Sequence, residues 1–116
     1  MRRVLAFLLS LASASAYAHA FLERASPPVG STVDASPTEL SITFTEGVEP
    51  LFSTIDVRDQ NGASVTTGKP HLAADNARRL IVSLPRLTPG TYGVSWHATS
   101  VDTHKTQGSY KFVVAH

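Results

Sequence analysis

The chain has 116 residues, with ten Lys/Arg, nine Asp/Glu and five His, a formal net charge of +1 and no cysteine. That length suits one domain, and the near-neutral balance lacks the clustered basic surface that nucleic acid requires. The absence of thiols excludes disulfide staples, thiolate metal sites and cysteine nucleophiles, so the core must hold by packing alone.

Residues 1–18 have the pattern of a secretory signal peptide. Met1, Arg2 and Arg3 form a short basic start, residues 4–11 form a compact apolar run, and small residues continue to Ala18. The run is shorter than the about 20 apolar residues of a spanning helix. Ala16 and Ala18 supply the small side chains for a cut before His19, although cuts before Tyr17 or Phe21 obey the same rule. The expected product is a single exported domain of residues 19–116, with eight Lys/Arg against nine Asp/Glu.

Beyond residue 19 the apolar pattern has period two, the signature of half-buried strands. Residues 21–24 fit a first short strand. Leu40, Ile42 and Phe44 alternate with Ser41, Thr43 and Thr45; Ile55 and Val57 alternate with Thr54, Asp56 and Arg58. Asn61-Gly62 reads as a hairpin turn between that strand and one at residues 64–67, both residues tolerating positive φ. Leu80, Val82 and Leu84 form another alternating set, followed by Tyr92, Val94, Trp96 and Ala98 and finally Tyr110, Phe112 and Val114. Pro and Gly clusters separate these runs. Short strands at this spacing predict an all-β fold, an immunoglobulin-like Greek-key β-sandwich of about seven strands. The stretch Leu87-Thr88-Pro89-Gly90-Thr91-Tyr92 has the form of a tyrosine corner, in which the phenol bonds back to nearby backbone.

The chemistry concentrates in two places. A cut before His19 would leave a free α-amine beside that residue's own imidazole, and the amine with Nδ1 closes a six-membered chelate ring on one metal ion. The amine's ordinary pKa is about 8, so protons compete with the metal only weakly near neutrality. The second place is Asp102 and His104, two residues apart, which an extended chain presents on one face. Together they supply three nitrogens and one oxygen. Cu(II) prefers such donors in a tetragonal plane, while zinc would take the same set as a tetrahedron.

These residues give the chain a family resemblance. The opening HAFLERASPPVGSTV, the segment LSITFTEGVEP and the tail LTPGTYGVSWHATSVDTHKTQGSYKFVV, in this order, resemble the CopC family of periplasmic copper-binding proteins over residues 19–114. The resemblance implies a periplasmic protein of copper resistance or homeostasis, with one Cu(II) per chain held by His19, Asp102 and His104. It places Glu46 as a nearby carboxylate, a weak ligand or a support for the ligands, and it suggests a CopD-type inner-membrane copper transport protein as partner. Some relatives also hold Cu(I) through methionine thioethers, but residues 19–116 contain no methionine, and without soft sulfur donors a second, Cu(I) site is not expected.

The remaining histidines read as structural or solvated. His71 falls in a predicted loop, His97 alternates with Trp96 and so faces away from the core, and His116 is terminal. Ser100 lies close to His104 in sequence, but proximity alone makes no catalytic triad. The expectation is therefore a binding protein and not an enzyme. The alternatives are a copper-dependent monooxygenase with a similar histidine-bearing terminus, or a plain exported β-sandwich. An anionic Asp102 in the copper plane argues against the first, because it stabilises Cu(II) and fills the position that oxygen would need.

Overall fold

The computed structural model describes residues 20–116; the expected leader and His19 lie outside the described residues. Eight strands follow in order: β1 Leu22–Ser26, β2 Thr32–Val33, β3 Glu39–Phe44, β4 Thr54–Arg58, β5 His71–Ala73, β6 Asn76–Ser83, β7 Gly90–Thr99 and β8 Lys105–Val114. One 3₁₀ turn, Pro50–Phe52, precedes β4. The strands form two four-stranded sheets, ordered β1-β3-β6-β5 and β2-β8-β7-β4. All pairings are antiparallel except β2 with β8. This is the β-sandwich that the period-two pattern predicts.

The inward residues of both sheets meet in one core. Leu40, Ile42 and Phe44 from β3 and Leu80 and Val82 from β6 face Val57, Val94, Trp96, Phe112 and Val114 from the other sheet. The aromatic side chains assigned to packing are buried: Phe44 meets Trp96 edge-on with centroids 5.2 Å apart, and Tyr92 stacks on Phe112 at 5.6 Å. Gly108, opposite Trp96 in the β7–β8 ladder, has a packing reason. A Cβ there would lie 2.6 Å from Trp96 Cζ2, inside the indole's own volume.

The tyrosine corner forms as the spacing predicts, with Tyr92 Oη donating to the Thr88 carbonyl at 2.6 Å. Tyr92→Phe removes this donor and little else. It should cost about 1 kcal/mol, read as a fall in Tm of roughly 4–8 °C by calorimetry.

Three local expectations need correction. The Asn61-Gly62 turn exists, but only Gly62 takes positive φ, at 85°. The Asp59 side chain does the rest, its Oδ1 accepting from the backbone N–H groups of Asn61 and Ala63. The predicted return strand at residues 64–67 shrinks to a single bridge, Arg58 with Ser64. His71, predicted in a loop, opens the edge strand β5, where it pairs with Ile81 and stays exposed. Two-residue β2 and three-residue β5 are too short to show a period, which is why eight strands stand where about seven were expected.

Candidate metal centre

One end of the sandwich gathers the last residues of β3 and β7 and the first of β1 and β8. Here the connection from Ser100 to His104 joins the two longest strands. Backbone bonds lash it to the segment after β3. Val48 and Ser100 form a bridge, Glu49 N–H donates to the Thr99 carbonyl at 2.9 Å, and Val101 N–H donates to that of Gly47 at 3.0 Å. The two sheets are therefore clasped together at this end by their loops.

Within that connection Asp102 and His104 come together, with Nδ1 of the imidazole 3.3 Å from Oδ1 of the carboxylate and both side chains about half exposed. The two residues that the sequence pairs do meet, but for a different geometric reason. They do not alternate along extended chain; a tight turn folds them toward each other. Thr103, between them, sits at φ 74°, a left-handed conformation uncommon for a residue with a Cβ. Thr103 N–H closes the turn on the Ser100 carbonyl at 2.8 Å, and Ser100 N–H reaches the His104 carbonyl at 2.9 Å.

Ser100 is the residue that sequence reasoning undervalued. It is 1% exposed, its Oγ donates to Asp102 Oδ1 in a very short hydrogen bond, and the same oxygen accepts from His104 N–H at 3.2 Å. The Ser100 hydroxyl holds the Asp102 carboxyl below its ordinary pKa, His104 adding to the effect and partial desolvation opposing it. The carboxylate is thus anionic and oriented near neutral pH, as a metal ligand must be.

The other expected ligands stand differently. Glu46 lies in the adjacent loop, one residue before Gly47, and is half-buried. Among the described residues no group of three or more His, Asp or Glu side chains converges on a metal position, so Glu46 is near the Asp102–His104 turn without completing a site. His19 lies outside the described residues, but its neighbour is firmly placed. Ala20 is fully buried, and its carbonyl accepts from Thr106 Oγ1 at 2.5 Å. Phe21 N–H donates to Thr45 Oγ1 at 2.9 Å and its carbonyl accepts from Thr45 N–H at 2.8 Å. The start of the described chain is therefore fixed two residues along β8 from His104. The histidines assigned no metal role lie apart from the turn: His97 points outward on β7 with Nδ1 3.5 Å from Thr54 Oγ1, and His71 lies on β5 of the other sheet.

The model of the CopC domain matches residues 22–115. The chain belongs to the CopC family. Protein YobA of Escherichia coli K12 is 39% identical over 116 residues, spanning 98% of this chain and 94% of that protein. Copper resistance protein C of Xanthomonas campestris pv. juglandis is 36% identical, spanning 90% of this chain and 87% of that protein. The crystal structure of CopC from Methylosinus trichosporium OB3b superposes with a TM-score of 0.79 at 37% identity, covering 84% of this chain and 94% of that one. CopC membership makes this a protein of a copper-binding, copper-resistance family and accounts for the β-sandwich. No helix among the described residues is long and apolar enough to cross a membrane.

Proposed function

We propose that this CopC protein binds one Cu(II) per chain in the periplasm, after cleavage before His19, and sequesters it or carries it to a CopD-type membrane transport protein. The proposed ligands are the α-amine and imidazole of His19 with Asp102 and His104, and Glu46 supports them from the neighbouring loop. The observation that carries this reading is the Asp102–His104 pair, preset at 3.3 Å on an exposed turn, beside the point where Thr106 pins Ala20. Three nitrogen donors and one anionic oxygen fit the tetragonal preference of Cu(II). Such a set fills the copper plane and suits holding the ion, not turning over a substrate on it. The exposed end of the sandwich lets a recipient's ligands approach the cargo directly.

Titration of the protein beginning at His19 with Cu(II), against a competing chelator, tests the reading. One equivalent should bind. His104→Ala should weaken binding by at least about 100-fold, since an imidazole donor joined to a preset site acts at high effective concentration. His71→Ala, on the far sheet, should leave affinity unchanged. A His104→Ala protein that binds as tightly as the parent would refute the assignment.

A further inference from the structure

We infer that Ser100 is the positioning residue of the copper site: its buried hydroxyl sets the spacing and direction of Asp102 and His104 before any metal arrives. This inference rests on the copper-binding reading above. The turn from Ser100 to His104 is short and its tip is exposed, so two freely rotating side chains would be expected there. Instead one oxygen atom holds the Asp102 carboxylate directly and the backbone of His104, whose imidazole in turn meets that carboxylate at 3.3 Å. Ser100 Oγ donates to Asp102 Oδ1, has the His104 carbonyl at 3.2 Å as a second acceptor, and takes the backbone proton of His104 at 3.2 Å. The Ser100 backbone closes the turn from both sides, through its N–H to the His104 carbonyl and its carbonyl to the Thr103 N–H. The residue is itself immobilised by the Val48 bridge and by a position 1% exposed to solvent.

Inventory of the hydroxyl's capacity shows why serine matters there. A hydroxyl has one donor and two acceptor positions, and water cannot replace it at a position this buried. The donor goes chiefly to the carboxylate and one acceptor to the turn's own backbone. Alanine would keep the turn's backbone–backbone bonds but leave the carboxylate held by His104 alone, and it would take the Ser100 oxygen from the His104 N–H. Groups that orient a ligand in this way are worth about 10–100-fold in metal affinity.

The test compares Ser100→Ala, Asp102→Ala and the double variant, all beginning at His19, by chelator competition with Cu(II). Ser100→Ala should bind about 10–100-fold more weakly, with altered copper hyperfine splitting in its EPR spectrum. Ser100→Thr, which restores the hydroxyl, should recover most of the loss. In the Asp102→Ala background Ser100→Ala should cost little more, because the serine acts through that carboxylate. Ser100→Ala that lowers Tm yet leaves affinity and EPR spectrum unchanged would show a purely structural serine and overturn the inference. If Asp102→Ala itself leaves Cu(II) affinity intact, the copper-ligand assignment has failed instead. A measurement on the unaltered protein needs no variant: the Ser100 hydroxyl proton should exchange slowly in NMR spectra and correlate with the Asp102 carboxylate. A rapidly exchanging proton would also overturn the inference.

Discussion

Protein beginning at His19 should bind Cu(II) about 10²–10⁴-fold more tightly than the same protein carrying one extra alanine before it. The gap is that large because the added residue converts an amine into an amide, and an amide nitrogen gives up its proton to a metal far less readily. The six-membered ring between the amine and imidazole of one residue is lost with it, and the new terminal amine lies one peptide unit further from the imidazole. Joining a second donor to a first raises overall affinity by about this factor without new contacts. The anchoring of Ala20 by Thr106 and of Phe21 by Thr45 makes the comparison clean, because both forms keep the same tethered chain beyond the variable residue. Chelator competition at pH 7 reads the ratio directly. Equal affinities would remove the amine from the coordination sphere while leaving Asp102 and His104 open to a different third partner.

The largest effect on stability should come from Phe44→Ala. Phe44 is completely buried, closes the core at the metal end of the sandwich and meets the Trp96 ring edge-on. Removing the ring leaves a cavity that the two sheets can only partly collapse, at a cost of about 3–5 kcal/mol. Domains of this size have about 5–15 kcal/mol in total, and no disulfide among the described residues makes up the loss, the chain having no cysteine. Denaturant unfolding followed by Trp96 fluorescence should show the midpoint falling sharply with little change in slope. Because Thr45 follows Phe44 and holds Phe21, the same variant should also weaken Cu(II) binding. A loss below about 1 kcal/mol would mean that the core tolerates this gap by repacking.

Much of the fold was legible because its strands announce themselves in the chain. The alternation from Tyr92 to Ala98 places Trp96 inward and His97 outward, as the structure has them, and the Thr88–Tyr92 spacing marks the corner that forms. Membership of the CopC family, read from three ordered segments, stands on the match to residues 22–115. The edge strands β2 and β5 escaped notice because two or three residues carry no periodicity; pairing with longer neighbours creates them. At the site, Asp102 and His104 were identifiable as residue types, but not the turn that joins them. A threonine at φ 74° leaves no mark in composition, and a serine becomes a hub only when its neighbours are folded around it.

The hydrogen bond from Thr106 to Ala20 ties together points 86 residues apart in the chain. In the proposed complex the cupric ion would sit beside that junction and close almost the whole mature polypeptide into a loop, much as a covalent clasp would in a protein that had thiols. On the proposed reading the ion would act as a reversible buckle: by mass action the loaded form would gain resistance to unfolding and to proteases, and would lose it when the ion left. In that reading the metal-free form would be the less stable of the two.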